Sequence, residues 1–572
     1  MLGRTFFWML LLVCGFGIDP GSVAIARQAE SEGEPARPFE SKDVAAAEKL
    51  IGLELTDTER ALLLDDAMRN LRRYETLRSV EIGNEVMPAI EFDPVLPGMK
   101  FESEQRPLRF APVEGVERPA TNAELAFLSV GELGALLRAK KLTSTELTKV
   151  YLERLRKYGP RLECVVTLTE ELALEQARRA DAELAAGKDR GPLHGIPYGA
   201  KDLLAVPGYP TTWGAEPYRD QRIEETATVI QRLEDAGAVL VAKLTLGALA
   251  WGDVWFGGMT RNPWKPQQGS SGSSAGSASA TAAGLVAFSI GSETWGSIVS
   301  PSTRCGVTGL RPTYGRVSRH GAMALSWTMD KLGPICRTVD DCARVFHAIH
   351  GPDGVDGTLY DVPFNYDATR PLEEIRVGFV ESAFAGDRVR RDRATLDVLR
   401  ELGVKLIPVE LPELPVASMA FILNAEAAAA FDGLTRSNED DRMVRQMAQA
   451  WPNAFRTARF VPAVEYIQAN RLRTLALREM AKIFEDVDVY VAPSFSDNLL
   501  LTNLTGHPAV VLPNGANRGA VTGASITLTG NLFAEGEVLA VARRIQEATE
   551  FHRMHPDLDE TLGSIEGDES GN

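Results

Sequence analysis

The sequence predicts an α/β fold built around a mixed β-sheet, because short apolar strand patterns alternate with amphipathic helix patterns along the chain. The helical patterns show the 3.6-residue apolar spacing of helices that pack one face on a core. The strand patterns are 165–168, 239–242, 377–380, 404–409 and 487–492, and the helical patterns are 170–186, 226–236, 391–402 and 536–548.

Three Ser/Thr-x-x-Glu capping boxes predict where helices begin, at residues 56–59, 129–132 and 143–146. The first opens an amphipathic helix whose apolar residues recur through 64–77. We assign this helix to an N-terminal extension over residues 27–121 and the main domain to residues 122–555.

The first residues resemble a targeting signal. A basic start at Arg4, an apolar run over 5–17 and the small residues at 24–26 predict a signal peptide over residues 1–26 and export to the periplasm or the extracellular space. The apolar run has 13 residues, whereas a transmembrane helix needs about 20, so no stable membrane span is expected. A buried N-terminal helix is the alternative.

Composition excludes several function classes. The 572-residue chain carries a formal net charge of −17, which argues against a nucleic-acid partner. Residues 556–572 are acidic and are expected to be disordered. The cysteines after the signal have no metal-ligand spacing, so no metal site is expected; they are buried apolar side chains or, in an oxidising compartment, paired ones: Cys164, Cys305, Cys336 and Cys342.

A stretch rich in Gly and Ser, residues 267–312, is the candidate reactive centre. It contains Ser273 and, after an apolar run, Ser297. The G-x-S-x-G pattern at 272–276 matches the nucleophile elbow of α/β-hydrolases, but no apolar strand precedes it, so we reject that interpretation.

Several motifs in order resemble the amidase signature family, the Ser-cisSer-Lys hydrolases. Gly195–Asp202 reads GIPYGAKD, Ser271–Ser277 matches a Gly/Ser motif loosely, and Gly291–Thr313 matches a longer pattern that ends in CGVTGLRPT. The similarity extends from about residue 122 to residue 555. It implies the family fold, a large mixed β-sheet covered by helices on both faces, and no metal or organic cofactor.

The resemblance implies three catalytic residues. Ser297 is the expected nucleophile, Ser273 is the relay serine that follows a cis peptide bond, and Lys201 is the general base. A lysine near its ordinary pKa of about 10.4 is charged and cannot accept a proton. Burial must therefore keep Lys201 neutral.

The resemblance also implies an oxyanion hole made by the backbone N–H groups of Thr294, Trp295 and Gly296 together with that of the nucleophile. Ser274 is expected to support the relay by hydrogen bonding. Trp295 stands where relatives usually have Gly, and Val299 replaces a common Arg, so we expect the substrate pocket to differ from that of relatives.

Two further features are candidates for substrate binding. Trp251 and Trp255 either line the pocket or pack in the core. The helical segment 419–478 either covers the site or completes the core.

The sequence therefore predicts an exported amidase that hydrolyses a small-molecule or peptide amide to an acid plus ammonia or an amine. A homodimer is compatible with it. Two alternatives stay open: a glutaminase-type A subunit of a tRNA-dependent amidotransferase, which the export signal and the acidic charge disfavour, and a non-catalytic binding relative.

Overall fold

The computed structural model describes residues 38–385, 390–515 and 520–569. The expected signal peptide over 1–26 lies outside these residues. The chain divides into two compact units between Glu81 and Ile82. The expected extension over 27–121 is therefore split, because the segment from Ile82 onward belongs to the unit that contains the sheet.

Strands and helices are numbered here in chain order within the described residues. The strands are β1 (Val165–Leu168), β2 (Pro197–Lys201), β3 (Val239–Leu244), β4 (Val254–Trp255), β5 (Gly258–Met259), β6 (Arg261–Asn262), β7 (Lys265–Gly269), β8 (Phe288–Glu293), β9 (Thr308–Arg311), β10 (Lys331–Cys336), β11 (Val377–Val380), β12 (Ile407–Val409), β13 (Val489–Pro493), β14 (Ala509–Pro513) and β15 (Ser525–Gly530). The helices are α1 (Ser41–Ile51), α2 (Asp57–Arg78), α3 (Asn122–Leu125), α4 (Val130–Arg138), α5 (Ser144–Leu162), α6 (Glu170–Ala185), α7 (Thr228–Asp235), α8 (Ala275–Ala282), α9 (Val299–Cys305), α10 (Val339–Ile349), α11 (Arg390–Glu401), α12 (Phe421–Ala430), α13 (Asp432–Arg436), α14 (Trp451–Ala458), α15 (Ala463–Asp486), α16 (Asn498–Thr505), α17 (Glu535–Thr549) and α18 (Leu558–Glu569).

Eleven of the described strands form one sheet in the order β1-β3-β2-β8-β10-β9-β14-β15-β13-β11-β12. The strands β3, β2 and β8 are parallel to one another, as are β13, β11 and β12, and the remaining neighbours are antiparallel. Every residue of β2, β3 and β8 is buried, which requires cover on both faces. Helices α5 and α6 pack against β3, and α8 packs against β2 and β8. The predicted α/β class with a mixed sheet is confirmed.

The smaller unit, residues 38–81, is a pair of helices. The capping box of α2 forms as predicted: Thr56 Oγ1 accepts from the Glu59 amide at 3.3 Å, and the Glu59 carboxylate accepts from the Thr56 amide at 2.7 Å. The apolar stripe of α2 is buried only in part, since Leu64 is 8% exposed whereas Leu77 is 68% exposed.

Strand β12 begins three residues later than the apolar pattern predicts. Gly403, which follows α11, takes a left-handed φ of +84°. The next amide, that of Val404, then donates to the carbonyl of Leu399 and closes the helix end. That amide is therefore committed to α11 and cannot join the sheet.

The expected disorder of residues 556–572 is wrong for the part that the structure describes, because α18 covers Leu558–Glu569. Leu558 and Leu562 lie one helical turn apart and are buried, at 4% and 0% exposure. The Tyr158 hydroxyl also donates to Asp559 at 2.9 Å. The acidic composition concealed this short apolar contact.

A membrane-spanning helix must be both long and apolar, and none of the helices in the described residues meets both conditions.

Candidate active site

Lys201 is the last residue of β2 and lies at the buried centre of the candidate site. Its Nζ atom is 2.8 Å from the hydroxyls of Ser273 and Ser292 and 3.1 Å from that of Ser274. The structure fixes Lys201 at a strand end, because β2 stays in parallel register with β3 as far as the pair Lys201 and Leu244.

Burial lowers the pKa of Lys201 well below its ordinary value, although the charges of Asp330 and Glu293 oppose the shift. Desolvation disfavours the ammonium form, since no water surrounds it. The Nζ atom contacts three hydroxyls and hydrogen-bonds to no carboxylate among the described residues. This arrangement is compatible with the neutral lysine that the pKa direction favours.

The loop before α8 carries Ser273 and Ser274. The peptide bond from Gly272 to Ser273 is cis, as the family resemblance implied. A Cβ atom on Gly272 would lie 1.8 Å from the carbonyl oxygen of Gly252, so only glycine fits. The Ser274 hydroxyl donates to the Ser292 carbonyl at 3.0 Å and accepts from the Ser292 amide at 3.1 Å. Ser274 thereby ties the loop to β8.

Ser292 is the site residue that sequence reasoning missed. It lies on β8, is 8% exposed, and places its hydroxyl against the Lys201 amine. The available signal was its position directly before Glu293 in the motif that starts at Gly291. A serine within a buried strand gives no chemical hint of this contact, which depends on β2 and β8 being neighbours.

The turn between β8 and α9 contains Thr294, Trp295, Gly296 and Ser297. Within the described part of the chain, none of their four backbone N–H groups donates a hydrogen bond. Gly296 adopts a φ of +82°, which a side chain would oppose. The amides of this turn are therefore available to bind an oxyanion, as the resemblance implied.

Glu293 holds this turn in place. One carboxylate oxygen accepts from the amides of Ile298 and Val299 at 2.8 and 2.9 Å, and the other accepts from Arg311 and Asn503, both at 2.8 Å. Burial raises the pKa of Glu293, but Arg311 and the other donors outweigh it and lower the pKa to about 2. The carboxylate is therefore ionised at any physiological pH, and it anchors the turn as an anion.

Ser297 is 9% exposed and lines a cleft of about 620 Å³. Its hydroxyl makes no hydrogen bond to another described residue, whereas its carbonyl accepts from the Ser274 amide at 3.2 Å. The relay loop thus lies behind the nucleophile, and the hydroxyl is free to meet a substrate in the cleft.

The two tryptophans expected to bind substrate have different positions. Trp251 lines the cleft. Trp255 is 8% exposed, packs edge-on against Phe256 with ring centroids 4.8 Å apart, and is absent from the described lining of the cleft. The β4–β5 hairpin folds this ring over Gly257, so Trp255 packs in the core, which is the second of the two positions that the sequence left open. Trp295 lines the cleft and is 43% exposed.

The helical segment 419–478 both covers the site and completes the core. Phe421 on α12 and Ala454 on α14 line the cleft. Trp451 and Phe455 stack with ring centroids 5.1 Å apart, and both are buried. The two interpretations left open by the sequence therefore both apply.

No group of three or more His, Cys, Asp or Glu side chains in the described residues is placed to hold a metal ion. The cysteines after the signal region are free, buried thiols: Cys164, Cys305, Cys336 and Cys342.

Known proteins resemble this chain over most of its length. The family model described as Amidase matches residues 146–511. The A subunit of glutamyl-tRNA(Gln) amidotransferase from Moorella thermoacetica is 34% identical over 490 residues, which cover 76% of this chain and 99% of that protein. The protein of the same name from Chloroflexus aggregans is 34% identical over 487 residues, with 76% and 99% covered.

Among solved structures, the peptide amidase of Stenotrophomonas maltophilia superposes with a TM-score of 0.67 at 29% identity, and the match covers 75% of this chain and 98% of that one. A family model that spans more than half of the chain, together with these relatives, decides the family. This chain belongs to the Amidase family and is an amide hydrolase.

Proposed function

We propose that the chain cleaves its amide through an acyl-enzyme on Ser297, with Ser273 as proton relay and Lys201 as base. The observation that carries this proposal is the buried Lys201 amine, 2.8 Å from the Ser273 hydroxyl, behind a turn with four unused N–H donors. A serine hydroxyl becomes an effective nucleophile when a base takes its proton, and a lysine can do so only in its neutral form.

The reaction follows in two balanced steps. Ser297 Oγ bonds to the amide carbon while its proton passes through Ser273 to Lys201, and the oxyanion receives hydrogen bonds from the turn. The C–N bond then breaks, and the same proton returns through Ser273 to the leaving nitrogen. Water attacks the resulting ester, gives a proton to the relay, and releases the acid while Ser297 regains its hydrogen.

The chemistry of the cleft favours an uncharged substrate. None of the described residues that line the cleft beside Ser297 carries a charge. Aromatic side chains dominate its walls: Trp251, Trp295, Phe421, Trp451 and Phe495. Free glutamine carries both an ammonium and a carboxylate group, and a charged group is costly to bury without a partner. We therefore favour hydrolysis of a neutral amide.

The sequence comparisons favour a second candidate, the A subunit of a glutamyl-tRNA(Gln) amidotransferase. The curated relatives with that name are 34% identical to this chain over nearly their whole length, against 29% for the peptide amidase structure. In that role the chain would release ammonia from glutamine within a larger complex.

The base assignment predicts a pH dependence. Because burial lowers the pKa of Lys201, kcat/KM is expected to rise with pH along a limb centred below 10.5 and to stay level above it. Lys201→Ala and Lys201→Arg should each lose at least ~10³-fold in kcat, since arginine stays protonated. Steady-state kinetics with an amide and labelling by a fluorophosphonate probe measure both. Wild-type turnover by either variant, or an unlabelled Ser297 in the wild type, would refute the mechanism.

Gly296 allows a matched test of the oxyanion turn. Its φ is +82°, and an added Cβ would lie 3.3 Å from Leu499; Gly403 has a φ of +84° with no atom within 4 Å of the same position. Gly296→Ala and Gly403→Ala should therefore cost similar stability, about 1–2 kcal/mol. Only Gly296→Ala should lower kcat, by at least ~10-fold, because it displaces oxyanion donors. Urea unfolding and kinetics compare the two variants, and an equal loss of kcat in both would contradict the role of the turn.

Substrate choice separates the two candidate functions. The isolated protein should hydrolyse a neutral aliphatic or aromatic amide with kcat/KM at least ~10-fold above that for L-glutamine, because the cleft offers glutamine no charged partner. Ammonia and amine release are measured with Ser297→Ala as the control. Glutamine turnover above that of neutral amides, or turnover that requires another subunit, would favour the amidotransferase role.

Export is a separate proposal, supported by the basic start at Arg4, the apolar run over 5–17 and the small residues at 24–26. In a bacterial host, we expect N-terminal sequencing of the exported protein to find a chain that begins after Ala26. A full-length chain retained in the cytoplasm would count against export.

A further inference from the structure

A second cavity lies beside the cleft. It has a volume of about 330 Å³, and its described lining does not include Ser297. It shares three wall residues with the cleft, namely Ala250, Thr294 and Leu325. Thr294 also begins the oxyanion turn, so the scissile bond of a bound amide lies next to both spaces.

The second cavity lies on the base side of the catalytic groups. It reaches Ser292, whose hydroxyl is 2.8 Å from the Lys201 amine, and Ser273 is at the same distance from that amine. The cleft reaches Ser297 and also Gly272, the residue before Ser273, but its described lining does not include Ser292. A bound amide must place its carbonyl carbon at Ser297 and its nitrogen within reach of Ser273, which returns the proton. The nitrogen end of the substrate therefore points toward the second cavity.

Much of the wall of the second cavity is apolar, although Arg319 and Asp330 also line it. The apolar lining includes Leu203, Met323 and Leu332, and each of them is at most 5% exposed. A group the size of a water molecule occupies ~30 Å³, so the cavity holds an apolar group of roughly ten heavy atoms. Ammonia, the product of a primary amide, would leave most of this space unfilled.

The outer wall comes from the segment 82–91, which precedes the residues that the family model matches. Asn84 fixes this segment, because its side-chain amide donates to the Ala324 carbonyl at 2.9 Å and accepts from the Ala324 amide at 2.7 Å. Glu85 and Glu91 place carboxylates at the rim. An alkylamine product is a cation at neutral pH, whereas an arylamine is not, and these carboxylates favour the cation.

We propose that the second cavity is the subsite for the leaving amine, and that the substrate is a secondary amide with an apolar N-alkyl or N-aryl group. This inference rests on the proposed function, in which Ser273 returns the proton to the leaving nitrogen. It adds that the product is an apolar amine rather than ammonia.

The test uses two substrate pairs with the full-length protein. In the first pair one acid carries an N-methyl or an N-hexyl amide, whose leaving amines have similar basicity. In the second pair the acyl chain is short or long and the amine is constant. Val355 lines the mouth of the second cavity and is 61% exposed, so Val355→Trp narrows the mouth with little risk to the fold. Met323→Trp fills the interior, and Ala454→Trp narrows the cleft instead.

Wild type should prefer the N-hexyl over the N-methyl amide at least 10-fold in kcat/KM. Val355→Trp and Met323→Trp should lower that preference about 10-fold and leave the acyl-length preference unchanged, whereas Ala454→Trp should do the reverse. Fluorophosphonate labelling of Ser297 in each variant reports an intact site.

An N-hexyl preference that is absent, or that only Ala454→Trp changes, overturns the subsite. Labelling without turnover of any amide overturns the proposed function instead. Calorimetric binding of the N-hexyl amide to Ser297→Ala, with and without Val355→Trp, tests the subsite in that event: weaker binding with Val355→Trp supports it, and equal binding refutes it.

Discussion

In the proposed mechanism, one primary amine, that of Lys201, must stay neutral inside the protein. Burial favours the neutral form of Lys201, since the side chain is fully buried and its pKa lies well below the ordinary value. The three hydroxyls around its Nζ atom satisfy a neutral amine without adding a charge. A carboxylate in place of any of them would restore the ammonium and remove the base. The serine hydroxyls of the loop before α8 and of β8 therefore meet an electrostatic requirement of a neutral amine.

The charges nearby are arranged so that they do not undo this state. Glu293 is paired with Arg311 at 2.8 Å, and Asp202, the residue after Lys201, is paired with Lys243 at 2.7 Å, with all four side chains buried. Removing one partner of such a buried pair leaves an uncompensated charge, which costs several kcal/mol. These two carboxylates are thus balanced by their own partners, and the Lys201 amine, held by serine hydroxyls, keeps the lone pair that a base needs.

The sequence identified the reactive residues because their motifs occur in a fixed order with recognisable spacing, so Lys201, Ser273 and Ser297 needed no structure. It could not identify Ser292, since that contact exists only because β2 and β8 are neighbours in the sheet. It left Trp255 open between the pocket and the core, because the sequence does not reveal which way a short hairpin folds a ring. The sequence could not reveal the second cavity, because its walls come from segments that are distant in sequence, such as 82–91 and 321–325.

The groups that would take part in the reaction form one part of the site, and the side chains that line the two cavities form another. In the proposed mechanism the turn contributes the Trp295 backbone N–H, which it can do whatever side chain is attached, so a large indole is compatible with an oxyanion hole at this position. That indole is 43% exposed in the cleft, while Thr294 beside it is 6% exposed and forms part of both cavities. Substitutions on either side of Thr294 therefore change what fills the acyl or the amine side without moving the reacting atoms. A family that keeps one reaction can acquire new substrates in this way.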